Sequence, residues 1–104
     1  MTMDRNLTYP LREYVYDKAL EHYGWDTQAI IAVEELSEAQ KEICKFFRCE
    51  GNMEHMAEEV ADAFIMLEQV ERIFHIKDKV TEYMAAKIDR LSAKIDRERR
   101  GTDD

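Results

Sequence analysis

The chain has 104 residues, of which 45% are apolar and 37% are charged, with a net charge of −8. This length fits a single domain over 1–104. The negative charge and the lack of a basic stripe argue against a nucleic-acid binder. The longest apolar run has eight residues and is interrupted by Asp62, so no membrane span is predicted. With no signal peptide evident and two isolated cysteines, a cytoplasmic protein is expected.

The fold class predicted from the sequence is all-α, a bundle of four helices completed by oligomerisation. Only three glycines and one proline interrupt the chain, so long helices with short connections are expected. Thr8 and Asn52 are predicted N-caps, and Gly24 suits a helix C-terminus. Residues 1–8 and 97–104 are expected to be flexible. The predicted helices cover about residues 10–23, 27–47, 53–74 and 78–98.

Each predicted helix carries apolar residues at spacings of three and four, which indicates a buried face. The stripes are Leu11, Tyr14, Val15, Lys18 and Ala19; Ile30, Val33, Leu36, Ile43 and Phe47; Met56, Val60, Phe64, Leu67 and Phe74; and Met84, Ile88, Leu91 and Ile95. Four helices of this length bury a limited core. The first helix and its flanks also carry many aromatic residues, from Tyr9 to Trp25, more than one neighbour can cover. A homodimer or tetramer is therefore expected.

Two acidic clusters lie within the second and third predicted helices. The first contains Glu34, Glu35 and Glu38, and the second contains Glu59 and Asp62. Asp62 is the only polar residue in an otherwise apolar run of eight. A carboxylate carried into apolar surroundings costs several kcal/mol unless a cation compensates it. A solvated, glutamate-rich helix face is the alternative interpretation of either cluster alone.

Helix geometry predicts that the two clusters meet. Glu38 lies nine residues before the end of the second helix, and Asp62 lies nine residues after the start of the third. Each is therefore about 14 Å from the connection, and an antiparallel hairpin would bring them to the same height. Glu35 neighbours Glu38, and Glu59 neighbours Asp62, at a spacing of three. Four oxygen ligands from two helices suit Mg²⁺ or Mn²⁺.

The pattern Glu-Glu-x-x-Glu, followed about twenty residues later by Glu-x-x-Asp, resembles the MazG-like all-α nucleoside triphosphate pyrophosphohydrolases. That superfamily also includes phosphoribosyl-ATP pyrophosphatase and the dimeric dUTPases and dCTPases. The resemblance covers roughly Gly24 to Ile95. It implies a Mg²⁺-dependent hydrolysis of a nucleoside triphosphate between the α and β phosphates, which yields a monophosphate and pyrophosphate.

The resemblance also implies roles for individual residues. The metal ligands would be Glu35, Glu38, Glu59 and Asp62, and Glu34 would complete the first motif. Glu38 is the carboxylate expected to orient or deprotonate the attacking water, with Glu35 beside it.

Five further residues are candidates for substrate binding. Lys87 and Arg90 resemble the family's basic residues downstream of the second motif, although an ordinary charged helix face explains them equally well. Lys45 lies near the acidic face and could reach a phosphate or pair with a glutamate one turn away. Trp25 and Gln28 lie where similar proteins place aromatic and amide groups near the base. A packed tryptophan is the alternative for Trp25.

Three other functions compete with this interpretation. Phosphoribosyl-ATP pyrophosphatase shares the acidic motifs. A di-iron helical bundle requires Glu-x-x-His, and none of the three histidines has a glutamate three residues before it. A non-catalytic helical interaction module remains the alternative outside the enzymes.

Overall fold

The computed structural model describes the backbone of residues 5–102 and the side chains of residues 11–101. This part of the chain contains four helices and no strand, which confirms the all-α prediction. None of its helices carries an apolar stretch long enough to span a bilayer. The predicted flexibility of residues 1–4 and 103–104 lies outside the described residues. The helices are α1 (Arg5–Tyr23), α2 (Trp25–Phe47), α3 (Met53–Phe74) and α4 (Lys77–Thr102).

The helix boundaries differ from the prediction mainly at the outer ends. α1 begins at Arg5, so Thr8 lies inside the helix and its assignment as the N-cap is wrong. Threonine is tolerated within a helix at a small cost, so a possible cap residue need not mark the boundary. α4 continues to Thr102, four residues beyond its predicted end. The flexibility predicted for residues 97–102 stays a prediction.

A single residue, Gly24, separates α1 from α2. Its φ of 93° lies in the left-handed region, which glycine enters without the steric cost that a Cβ atom brings. The amide of Gly24 donates to the carbonyl of Leu20 at 3.0 Å, and its own carbonyl accepts the amide of Gln28 at 3.1 Å. The prediction that Gly24 ends the first helix is confirmed.

The connection between α2 and α3 folds back along the last turn of α2. The amide of Glu50 donates to the carbonyl of Lys45 at 3.0 Å, and that of Cys49 donates to the carbonyl of Phe46 at 3.1 Å. Cys49 has φ 59°. Together these bonds form a Schellman motif, with Cys49 in the left-handed position that glycine usually takes.

Asn52 caps α3, as predicted. Its Oδ1 atom accepts hydrogen bonds from the amides of Glu54 at 2.9 Å and His55 at 3.2 Å. These bonds satisfy amides that have no partner within the helix.

Gly51 sets the path by which the chain returns. A Cβ atom on this residue would lie 2.9 Å from the Cα atom of Phe46 and 3.1 Å from its backbone nitrogen. The returning chain therefore passes directly beside the last turn of α2, and only a glycine fits there without a backbone shift. This close passage starts α3 beside the end of α2 rather than beyond it.

We call the contact of α2 with α3, which the Gln28–Gln69 and Glu35–Asp62 pairs mark, the seam. We assign to it the buried and half-buried residues that lie in line with these pairs, and on α2 they recur at alternating spacings of four and three, the period of a coiled coil. They are Gln28, Ala32, Glu35, Ala39 and Glu42 on α2, and Met56, Glu59, Ala63, Met66 and Gln69 on α3. Ala32 is only 2% exposed. The seam on α2 thus consists of alanines and polar residues, without a large apolar side chain.

The described chain divides into two units after Ile73. α1, α2 and nearly all of α3 form the first unit, and α4 forms most of the second. Within α4, every side chain from Thr81 to Gly101 is exposed.

Polar contacts join α1 to α3 in the first unit. The hydroxyl of the buried Tyr16 donates to Glu68 at 3.3 Å. Burial, followed by the charge of Glu68 and this hydrogen bond, raises the pKa of Tyr16 to about 12. Arg12 pairs with Glu68 at 3.1 Å, and Arg72 pairs with Asp17. These contacts hold α1 against the C-terminal half of α3.

The apolar stripes expected to form the core are largely exposed. On α2 the seam lies beside the predicted stripe and follows alanine and polar positions instead, whereas on α3 the seam and the stripe share Met56. The assignment of a core side on α3 is right for Met56 and Val60, which are half-buried, and wrong for the other three members. The large apolar residues of the four stripes that are exposed are Leu11, Tyr14, Val15, Ile30, Val33, Leu36, Ile43, Phe47, Phe64, Leu67, Phe74, Met84, Ile88, Leu91 and Ile95.

The return of the chain past Phe46 makes Gly51 sensitive to substitution. We expect Gly51→Ala to lower the free energy of unfolding by about 1–3 kcal/mol, the scale of inserting a methyl group into a filled space. Gly101→Ala is the matched control, because a Cβ atom there meets nothing within 4 Å. Denaturant unfolding of both variants checks this, and equal stability of the two would contradict it.

Candidate metal centre

The seam brings three carboxylates together midway along α2 and α3. Oxygen atoms of Glu35, Glu59 and Asp62 all lie within 4.8 Å of one another. Glu35 and Glu59 are half-buried, whereas Asp62 is exposed. The predicted meeting of the two acidic clusters is therefore observed, and it joins Glu35 to two carboxylates that lie 24 and 27 positions further along the chain.

The register of the hairpin places Glu35, rather than Glu38, level with Asp62. Gln28 bonds to Gln69, and Glu35 bonds to Asp62, and both pairs fit one antiparallel register. The sequence predicted that Glu38 and Asp62 lie at the same distance from the α2–α3 connection and therefore face one another. This prediction is wrong by about one turn, because α3 starts beside the last turn of α2. Glu38 is exposed and lies outside the group of three.

Burial raises the pKa of Glu35 above its ordinary value of 4.5. The negative charges of Asp62, Glu59 and Glu38 raise it further, as does the hydrogen bond with Asp62. Like charges this close favour a proton on one of the carboxyl groups. A cation at this place would remove the same repulsion, since it would attract all the oxygens at once.

The remaining predicted residues of α2 have different surroundings. Glu34 is exposed on the helix surface. Lys45 pairs with the buried Glu42 at 3.2 Å, the alternative that the sequence left open for it. Trp25, the first residue of α2, is exposed rather than packed. Gln28 is 5% exposed and lies in the seam.

Gln28 forms a buried amide pair with Gln69, a residue that the sequence analysis did not single out. The Nε2 atom of Gln28 donates to Oε1 of Gln69 at 2.7 Å, and Nε2 of Gln69 approaches the sulfur of Met66 at 3.5 Å. Oε1 of Gln28 is buried and has no hydrogen-bond partner among the residues that the structure describes. Since Gln28 lies seven residues before Glu35, the pair lies about 10 Å along the seam from the carboxylates. The signal for Gln69 was its spacing of seven from Asp62 in an apolar segment.

Lys87 and Arg90 lie on α4, in the second unit. Both are exposed, and with Leu91 and Lys94 they line a shallow hollow on the surface of that helix. Their assignment to substrate binding remains a prediction.

Comparison with known proteins gave no match. No family model matches the chain, and neither the curated proteins nor the solved structures include a match.

The raised pKa of Glu35 predicts how stability depends on pH. A carboxyl group whose pKa is higher in the folded state than in the unfolded state favours folding at low pH, and this contribution is lost as pH rises from about 4.5 through the folded value. In metal-free buffer at pH 7, we therefore expect Glu35→Gln to raise the free energy of unfolding. The difference should shrink towards pH 4, where the glutamate is protonated.

Glu58→Gln is the control for this measurement. It removes the same charge from an exposed position outside the group of three. Chemical unfolding at both pH values, with a chelator present, compares the variants. A Glu35→Gln variant that is less stable than the unsubstituted protein at pH 7 would show that the carboxylates do not repel one another in the folded state.

Proposed function

We propose that this protein is a Mg²⁺-dependent nucleoside triphosphate pyrophosphohydrolase. The observation that carries the proposal is the convergence of Glu35, Glu59 and Asp62 from two helices, with oxygen atoms within 4.8 Å of one another. The same residues carry the resemblance to the MazG-like pyrophosphohydrolases. The substrate would be a nucleoside or deoxynucleoside triphosphate, and removal of unwanted nucleotides is the role that such an activity would serve.

The chemistry of the donor set fits a hard divalent cation. All three groups offer carboxylate oxygens, which Mg²⁺ and Mn²⁺ prefer to sulfur or imidazole ligands. Asp62 is exposed, so a bound cation could also contact a phosphate or water. When bound, Mg²⁺ would neutralise charge on the triphosphate and lower the pKa of a bound water.

The carboxylates of this chain would bind the cation and activate the attacking water. Glu35, Glu59 and Asp62 would hold the cation, and the seam fixes two of them by partial burial. Glu38 is exposed beside the group, where a carboxylate can reach solvent. We assign to Glu38 the orientation or deprotonation of the attacking water, with Glu35 beside it.

Two other functions would also account for part of these observations. Phosphoribosyl-ATP pyrophosphatase would use the same carboxylates on a related triphosphate. A helical interaction module would need no cation at all, and the exposed apolar stripes favour some partner. We propose a homodimer, or a tetramer built from it, in the cytoplasm.

The first test concerns the cation. Mg²⁺ or Mn²⁺ should raise the melting temperature, because a ligand that binds only the folded state stabilises it. Glu59→Gln and Asp62→Asn should abolish the gain, while Glu58→Gln should keep it. Thermal unfolding with and without Mg²⁺ measures this. A gain of equal size in all three variants would place the cation elsewhere.

The second test concerns the reaction. Incubation of nucleoside triphosphates with the protein and Mg²⁺ should yield a monophosphate and intact pyrophosphate. Changing Glu35, Glu38 or Asp62 to the amide should lower turnover at least about 100-fold, the scale of losing a charge-stabilising group. Chromatography of the nucleotides identifies the products. A diphosphate and orthophosphate would show attack at the γ phosphate instead, and full activity in Asp62→Asn would reject the site.

A further inference from the structure

The buried amide pair of Gln28 and Gln69 lies on the same line of the seam as the carboxylates. Gln28 lies seven residues before Glu35, and Gln69 lies seven residues after Asp62. A spacing of seven returns a helix to nearly the same face, about 10 Å further along its axis. The amide pair therefore joins α2 to α3 about two turns beyond the candidate metal centre, on the side away from the α2–α3 connection.

The carboxylates of the candidate metal centre do not by themselves hold the two helices face to face. Oxygen atoms of three carboxylates lie within 4.8 Å of one another, and like charges at this distance repel. The amide pair carries no charge, and Nε2 of Gln28 donates to Oε1 of Gln69 at 2.7 Å. This hydrogen bond attracts α3 to α2 whether or not a cation is bound.

The apolar residues of the seam offer little that would fix how the two helices face one another. In a coiled coil, large side chains insert into holes of the facing helix and so fix the position of both helices. Ala32, Ala39 and Ala63 are buried, but a methyl group is too small to lock against a neighbour. The buried Met66 is flexible and adapts its shape to its surroundings. Such packing brings the helices together without specifying their rotation.

A hydrogen bond between two buried amides does specify rotation. Gln28 and Gln69 are each only 5% exposed, so neither amide can exchange its partner for water. Turning either helix by one residue position, about 100°, would break the bond and leave both amides unpaired. Buried polar groups without a partner are strongly disfavoured. The pair therefore selects one orientation of α2 against α3.

The amide pair is better suited to orienting the helices than to stabilising them. Nε2 of Gln69 has only the sulfur of Met66 as a further acceptor, at 3.5 Å, and sulfur is a weak acceptor. Oε1 of Gln28 accepts no hydrogen bond from any residue that the structure describes. Two apolar side chains of similar size would fill this place without such a cost. Buried polar residues in coiled coils likewise fix the register at a cost in stability.

The carboxylates lie between two points at which α3 is fixed against α2, and the amide pair is the nearer one. The other point is the connection, where the chain passes with Gly51 beside Phe46. Phe46 lies eleven residues after Glu35, which is about 16 Å along α2, whereas Gln28 lies about 10 Å away. A change at the amide pair is therefore expected to reach the carboxylates directly.

We propose that Gln28 and Gln69 are positioning residues of the metal centre, which keep Glu35 on α2 turned towards Glu59 and Asp62 on α3. The connection sets the height of α3 beside α2, and the amide pair sets which faces of the two helices meet. This role rests on the proposed cation site. It differs from the contact with a substrate that the resemblance implies for Gln28.

A double-mutant cycle separates positioning from folding. Gln28→Leu and Gln69→Leu should each lower the denaturation midpoint, because each leaves one buried amide unpaired. The double variant should regain the wild-type midpoint, since two leucines leave no polar group unpaired. Its affinity for Mn²⁺, measured by electron paramagnetic resonance of the free ion, should nevertheless stay at least about 10-fold lower, the scale of losing a group that orients metal ligands.

Gln40→Leu is the matched control for this cycle. Gln40 is an exposed residue of α2 outside the seam, so the variant should keep both the midpoint and the affinity of the wild type. A double variant that regains the Mn²⁺ affinity together with the midpoint would overturn the proposal, because a pair that only stabilises the fold predicts that affinity follows stability.

Nitroxide labels on α2 and α3 test the orientation without a cation. Lys41→Cys and Glu58→Cys, in a chain with Cys44→Ser and Cys49→Ser, place the labels at exposed positions outside the seam. The distance between the labels should have one narrow distribution with the amide pair present. The distribution should broaden or split in the double leucine variant, at a temperature where that variant is folded.

The label distances also separate failure of the positioning role from failure of the proposed function. An unchanged distribution in the double leucine variant would overturn the positioning role, even if that variant binds Mn²⁺ weakly. A wild type that binds no Mn²⁺ would instead reject the proposed cation site. The label distances would then decide by themselves whether the amide pair orients the two helices.

Discussion

The contact of α2 with α3 is the constraint on which the candidate site depends. Glu35 and Asp62 meet one another across the seam. Ala32, Ala39 and Ala63 are buried and small, so no bulky side chain at these positions keeps the carboxylates apart. Larger apolar residues at the alanine positions would separate the helices and disperse the carboxylates, even though they would bury more apolar surface.

A seam of this composition cannot hold the hairpin by apolar burial alone. The carboxylates repel one another and lose hydration, and the buried Oε1 atom of Gln28 has no partner within the described part of the chain. Polar groups withdrawn from water in this way make a weak core. A cation at the acidic cluster would offset part of this cost.

The predicted core faces show where sequence patterning reaches its limit. α2 carries two sets of residues at helical spacing, one apolar from Val33 to Phe47 and one of alanines and polar residues from Gln28 to Glu42. Periodicity finds both sets, but it does not say which of them meets α3. The apolar set was the natural choice because burial of apolar surface drives folding. In the single chain, the set of alanines and polar residues lies against α3 instead.

The sequence by itself determined the local structure and the composition of the site. Helical periodicity, few turn residues, Gly24 and the Asn52 cap are local features, so the number of helices and the connections around these residues followed from neighbouring positions. Tertiary structure decided the register, which places Glu35 opposite Asp62, and it added Gln69 to the seam. Register depends on how closely Gly51 passes Phe46, a contact in space between backbones that spacing along the chain does not encode.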